Sequence, residues 1–582
     1  MKTSALATSL LALASLASAV DAQCPTLGPV LPEKLEVSGL GASAFDQIGI
    51  AVDIDGDTAV VGSWLFDLFA PGDNVGAAYV FERVNGCWQL EAQLISPVGD
   101  EFGRAVSISG DRILVGNWKE FNSQLGVTGP GAAYVYERNA GGCWGVTAKL
   151  EPMPGQSDPW SFFGSSVDLD GDRAVIGARE DNDNGGDEGA VYVFENTGGV
   201  WNQTQKILPP SLGPSLPNWF GNSVSLDGDR LLIGAHVTTC DQGAAVCSTC
   251  FTFDCPDTCA CDEGRAFIYE HSAGSFNLAA TLIASDAAPG DGFGAVALSG
   301  DTAVVGAYEA DDACMPPDAN CNSGAAYVFE RDPNGNWLET AKLVPSDTEA
   351  TDNFGWSVAL EGNVILVGAR NWDGVLGDVG TGYVFAKQGT AWNEIHTLSP
   401  MGRKGGSRSG WTLALSEDGR TAMLGSPGDN GAITGSGAAY AIGTSFSADR
   451  DVVVLSTGDV VNFSLWAGAE AGHENQLYFI LGSVSGTCPG FPLDGQRLPL
   501  NVADEYFNYT LGNAGAPPLA NAFGNLDANA QANASFSVPA GLSPNLAGVV
   551  FHHAYVTLDL EQIPGAAVVD FVSNAVGFQV VP

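Results

Sequence analysis

The sequence predicts an all-β protein: a seven-bladed β-propeller followed by a smaller C-terminal β-sandwich. Three observations predict it. A phrase ending in Val-Gly or a close variant returns seven times, placing glycines at Gly62, Gly116, Gly177, Gly234, Gly306, Gly368 and Gly425. Each copy reads as four short β-branched or alternating runs, and no long segment has helical periodicity. Beyond about Asp451 the repeat stops, yet strand-like pieces divided by Gly, Pro and Asn continue. Four-stranded units that recur in this way bury their faces by stacking around a ring.

Taken in order, residues 1–22 read as a secretory signal. Lys2 precedes an apolar stretch too short to span a membrane, and Ala17, Ala19 and Ala22 supply small residues for cleavage. Residues 33–39, "EKLEVSG", resemble the fourth-strand ending "TAKLVPSD" at 340–347. The seventh copy lacks a Trp-led fourth strand after "GAAYAIGTSF", so this N-terminal piece is expected to complete the last blade and leave no open sheet edge. The propeller is therefore assigned to residues 23–445 and the sandwich to 446–582.

Inside a copy, a Phe-Gly pair comes first (Phe102, Phe163, Phe220, Phe293, Phe354), degraded around Gly49 and Gly410. "SVDLD", "RAVIG" and "AVYVF" supply three strands, and a Trp opens the fourth at Trp88, Trp144, Trp201, Trp337 and Trp392. Gly and Ala at the hub let backbones approach where larger side chains could not. The pattern resembles the FG-GAP repeats of integrin alpha-subunit propellers and of secreted bacterial relatives, over residues 33–445. The C-terminal region resembles a module that recurs on secreted bacterial proteins.

The resemblance implies calcium in the loop after the Phe-Gly strand. Here that loop is "DIDGD" or "DLDGD" in two copies, but its first acid becomes Ser or Ala in the others. It is also too short to gather the six to eight oxygens that calcium takes. Asp55, Asp57, Asp170 and Asp172 therefore read as turn residues. A second loop, "DNDNGGDEG", gives Asp181, Asp183 and Asp187 calcium-like spacing, with Gly185 and Gly189 where acids would be expected. Calcium there, or a plain acidic loop, are the two readings; no other cofactor is indicated.

With 67 acids against 23 bases the net charge is −44, which argues against nucleic acid and anionic lipid as partners. Twelve cysteines suit an exported chain. Cys240, Cys247, Cys250, Cys255, Cys259 and Cys261 crowd an insertion in the fourth copy and read as disulfide staples rather than a zinc site; Cys314 and Cys321 bracket another loop. Their connectivity is not encoded in any legible spacing.

The variable connection after each Val-Gly strand is the expected place for recognition. Two residues past the register glycines stand Trp64, Trp118, Arg179, His236, Tyr308, Arg370 and Pro427. In register these would ring one mouth of the propeller, either stacking on sugars and gripping an acidic peptide, or plugging the mouth. No nucleophile elbow, His-Glu-x-x-His or phosphate loop occurs. The sequence thus points to a secreted or cell-surface, monomeric binding or adhesion protein whose partner is an extracellular protein or glycan. A polysaccharide-active propeller enzyme and a passive envelope component are the alternatives.

Overall fold

The computed structural model describes residues 30–581 apart from breaks, of which the longest are 38–45, 211–218, 237–263, 312–321 and 540–548. Each repeat folds into a sheet of its own, and the third copy is typical. Phe163–Asp170, Arg173–Ala178, Ala190–Thr197 and Val200–Ile207 pair antiparallel in sequence order. The middle strands are apolar on both faces because sheets stack on either side of them: "RAVIGA" is buried at every position but its first. The outer strand largely alternates exposed and half-buried residues, as a rim strand with one solvated face does.

The N-terminal segment serves two sheets. Lys34–Leu35 pairs with Tyr440 and Ala439 and supplies the outer strand of the seventh sheet. Val30–Leu31 pairs with Gln89 and Trp88, adding a fifth strand to the first sheet, an addition that the repeat pattern did not indicate. Leu35 is fully buried beside Met423 and Ala439 of the last copy and Tyr79 of the first. Leu35→Ala is therefore expected to cost about 2–5 kcal/mol, read as a lowered urea midpoint. A change under about 0.5 kcal/mol would show that this strand does not hold the ends together.

The inner strands touch one another in a circuit that runs from Val52–Asp55 through each copy to Thr412–Leu415 and back. Glycines explain how close they come. A Cβ on Gly177 would lie 2.0 Å from the Gly221 carbonyl oxygen, and one on Gly306 would lie 2.0 Å from that of Gly355. The last register glycine, Gly425, meets Gly49 of the first copy in the same way, at 2.1 Å. Parallel bridges repeat the closure, from Gly76 to Phe102 in the first step and from Gly437 to Ile48 in the last. This is the β-propeller arrangement.

Near the outer strands a second device repeats. The Tyr of Gly-x-x-Tyr faces a Lys across the ladder, and both meet an acid: Tyr134 and Lys149 with Glu120, Tyr192 and Lys206 with Asp181, Tyr327 and Lys342 with Asp286. In the seventh sheet Tyr440 and Lys34 meet Asp429, so the N-terminal strand brings the lysine that a fourth strand ordinarily carries.

After the repeats, two sheets face each other. One contains Phe446–Ala448, Asp459–Trp466, Gln531–Val538 and Leu519–Ala520; the other is built on Leu477–Ser483, Val550–Ile563 and Val576–Val581. Phe463, Ile480, Phe536 and Tyr555 fill one shared core between them, which makes a β-sandwich. An eight-residue helix, Glu505–Gly512, is the departure from all-β periodicity; Phe507 on it is buried, and the Thr510 hydroxyl accepts from the Gly482 N–H. Against the repeats, Trp466 enters the core of the last sheet and the Arg420 guanidinium lies 5.2 Å from the Phe571 ring. No helix among the described residues is long and apolar enough to cross a membrane.

Candidate functional site

At the end of the inner strands that carries the Phe-Gly pairs, the chain builds a belt of rings and guanidinium groups. Trp64 and Trp118 are 5.6 Å apart, and Trp118 is 4.9 Å from Phe162. Arg179 lies 5.1 Å from Trp118, 5.5 Å from Phe162 and 5.5 Å from Trp219. Trp219 stacks on His236, which stacks on Tyr308 at 5.1 Å and shares a 2.7 Å hydrogen bond with its hydroxyl. Tyr308 meets Trp356 edge-on, Arg370 lies 3.3 Å over Trp356, and Trp411 follows at 5.1 Å. Trp411 and Trp64 both pack against the core that contains Ile50, which brings the belt back to its start.

Of the residues expected from sequence, Trp64, Trp118, Arg179, His236, Tyr308 and Arg370 all lie on this belt. Sequence reasoning missed Arg104, Phe162, Trp219, Trp356, Arg408 and Trp411. The signal was available, because Arg104, Trp356 and Trp411 directly follow the glycine of a Phe-Gly or Ser-Gly pair, while Phe162 and Trp219 directly precede a Phe-Gly pair. Arg104 lies between the Trp64 and Trp118 rings, at 5.7 and 5.3 Å.

Electrostatics on the belt follow from crowding. Burial, aided by Arg179, lowers the Arg104 pKa to about 10, and burial does the same to Arg370. Burial holds His236 down at about 4, so this ring is neutral through the physiological range and its stacking does not depend on charge. Acids of the neighbouring loops are engaged elsewhere: Asp67, Asp311 and Asp373 each accept a backbone N–H across the base of their own loop, from Asn74, Asn322 and Asp378.

The Asp-Gly-Asp turns have a different task. Asp168 accepts from the Leu226 N–H at 2.7 Å and Asp170 from the Gly228 N–H at 2.8 Å, both on the next inner strand. Asp53 and Asp55 do the same for Ile108 and Gly110. Where Ser replaces the acid, its hydroxyl takes over: Ser107 serves Leu169, Ser109 serves Gly171, and Ser225 serves Leu298. An inner edge strand carries backbone donors with no ladder partner, and these side chains satisfy them. Gly171, at φ +54°, makes the turn between, while Asp57 and Asp172 pair with Arg83 and Arg112.

In the second acidic loop the Lys206 ammonium lies 2.9 Å from Asp181 and 2.7 Å from Asp183, and Asp181 also accepts from the Tyr192 hydroxyl. A calcium ion at these carboxylates would compete with that lysine; Asp187 lies outside the described residues. No group of three metal-ligating side chains occurs among the described residues. Adding calcium or a chelator is accordingly expected to move the melting temperature by less than about 1 °C, checked by scanning fluorimetry. A calcium-dependent rise of several degrees would show that the ion displaces Lys206. Cys240, Cys247, Cys250, Cys255, Cys259, Cys261, Cys314 and Cys321 also lie outside the described residues.

Comparison with known proteins agrees with the repeat architecture. The FG-GAP repeat family matches residues 40–81, 88–136, 144–194, 201–245, 276–329 and 337–385. No curated protein matches the chain. Among solved structures, that of a protein from Lactobacillus plantarum is 14% identical, with 60% of this chain and 84% of that chain covered and a TM-score of 0.37.

Proposed function

We propose, from the premise that this chain is an FG-GAP repeat protein, that it is an extracellular recognition protein whose ligand seats on the belt at the hub. In this reading residues 1–22 direct export, residues 23–445 form the seven-bladed scaffold, the cysteine-rich insertions are stapled by disulfides, and residues 446–582 are an accessory domain. One observation carries the reading. Every copy spends its constant residues on the frame and contributes an aromatic or cationic side chain to the belt, of four types in all: Trp64, Arg104, Arg179, His236, Tyr308, Arg370 and Trp411 come from the seven copies in turn.

A frame alone would not require such variety. Rigid strands that hold aromatic faces and cationic tips near one axis suit binding, since little side-chain entropy is left to lose. The test is a glycan and matrix-protein screen of the secreted chain, repeated with Trp64→Ala and Trp411→Ala, two belt indoles that are partly exposed. The expected result is loss of the hits in both variants with secretion preserved. Hits that survive both substitutions would move the recognition face away from the belt.

A further inference from the structure

The chain carries acids in nearly threefold excess, so a basic side chain left without a carboxylate is an exception that needs a reason. At the rim the usual pairing is seen: Arg83 pairs with Asp57, Arg112 with Glu137 and Asp172, Arg173 with Glu195, and Arg230 with Asp301, and among the described residues Arg265 is an exception off the belt. On the belt it fails. Among the described residues no carboxylate lies within 4.0 Å of the Arg104, Arg370 or Arg408 guanidinium, and Arg179 reaches only Glu180, at 3.6 Å. Arg370 is held by the Asn353 side-chain oxygen, a neutral acceptor, at 3.3 Å.

What surrounds these cations is aromatic. Arg104, Arg179 and Lys119 all lie within 5.3 Å of the Trp118 ring centroid, and Lys119 shares Glu101 with the indole N–H. Across the belt, Arg370 and Arg408 lie 5.0 and 5.9 Å from the Trp411 ring. Indole faces fix the planes of the guanidinium groups without neutralising them, which leaves their N–H donors for a planar or tetrahedral anion. Arg408 is exposed, and so is Trp160, two residues before the belt residue Phe162.

Resting on the reading that the belt is the recognition face, we infer that its ligand is an anionic glycan, whose carboxylate or sulfate groups are gripped by Arg104, Arg179, Arg370 and Arg408 while sugar faces lie against the indoles. The overall charge of −44 argues against polyanions as a class, but contact is decided within a Debye length of about 8 Å, and there four arginines and Lys119 face three neighbouring carboxylates, Glu101, Glu180 and Glu309, a balance opposite in sign to that of the whole chain. Five of the thirteen tryptophans of the chain lie on the belt, and four of them, Trp64, Trp219, Trp356 and Trp411, keep part of their surface exposed while Trp118 is buried. That concentration favours a saccharide over an acidic peptide, because pyranose rings offer apolar C–H faces to indole.

The experiment titrates the full secreted chain with polygalacturonate oligomers, chondroitin sulfate oligomers, neutral dextran oligomers and poly-glutamate, by calorimetry. The expected result is binding of one or both anionic glycans and not of dextran, weakened at least tenfold by Arg104→Gln and by Arg370→Gln. Arg83→Gln, at a paired rim arginine, should bind like the parent. The two glycans separate carboxylate from sulfate recognition. Arg104→Lys, which keeps the charge, controls for misfolding and should retain part of the affinity. Binding of neither anionic glycan, equal binding of dextran, or preference for poly-glutamate would overturn the anionic-glycan inference. Belt-dependent hits in the wider screen would still leave the belt as the recognition face, whereas anionic-glycan binding unmoved by both Gln variants would sink inference and face together.

Discussion

Gly306→Val is expected to leave almost no soluble folded protein, whereas Gly171→Asn is expected to fold with a loss within about 1 kcal/mol. Both glycines recur through the repeats, but for opposite reasons. Gly306 is an ordinary strand residue whose added Cβ would lie 2.0, 2.9 and 3.1 Å from the oxygen, carbonyl carbon and Cα of Gly355. All three atoms are backbone on the neighbouring inner strand, so no side chain can turn aside. Relief requires two sheets to part at the hub, where the circuit of inner strands is tightest. Overpacking by a single methylene costs about 1–3 kcal/mol, and valine adds three carbons against a total stability of about 5–15 kcal/mol. Gly171, in contrast, has φ +54° and nothing within 4 Å of its Cβ position. Its constraint is conformational, and asparagine meets it. Secretion yield and thermal unfolding of the two variants test the pair; equal behaviour would mean that close approach at the hub does not hold the ring.

The same contrast shows what the sequence revealed and what it hid. The register glycines and the Phe-Gly glycines were visible as repeats, and the repeats carried the fold class. That the two sets touch, each copy against the next, needed coordinates, since a repeat period does not state which neighbour a residue meets. In "DLDGD" Asp170 and Asp172 read as turn residues because the acids ahead of the glycine give way to Ser or Ala in other copies. The bonds of those acids to the next inner strand explain the change to Ser, because a hydroxyl satisfies a backbone donor as a carboxylate does, while a calcium site would have demanded the charge. Half of the belt was legible from one offset past each Val-Gly; the other half flanks the Phe-Gly pairs, a second offset that converges only because adjacent copies overlap at the hub. The helix Glu505–Gly512 was illegible for a different reason. At eight residues it spans barely two turns, too few for a period to stand out.

Urea unfolding of the full chain is expected to need more denaturant near pH 5 than near pH 8, and Asp53→Asn is expected to remove part of that slope. The cause lies where the first three inner strands meet. Asp53 accepts from the Ile54 and Ile108 N–H groups, and the Ser107 hydroxyl beside it donates to Asp168 at 2.9 Å. Burial first, and the neighbouring Asp168 charge second, raise Asp53 from 3.8 to about 7. A carboxyl whose folded pKa exceeds its unfolded one holds a proton in the native state that the unfolded chain has released. Its contribution is therefore fully present below about pH 4 and is lost as pH rises toward 7. Asp53 is half-buried rather than fully enclosed, which limits the effect to about 1–3 kcal/mol. Asparagine keeps one side-chain oxygen for the Ile108 N–H and abolishes the titration, so the variant should gain on the parent as pH rises and fall behind, or draw level, in acid. Asp168→Asn should act in the same direction by removing the charge that helps to push Asp53 up. Parallel pH profiles for parent and Asp53→Asn, measured as urea midpoints from pH 4.5 to 8, would show that this carboxylate stays ionised at the hub and that its backbone bonds outweigh its burial.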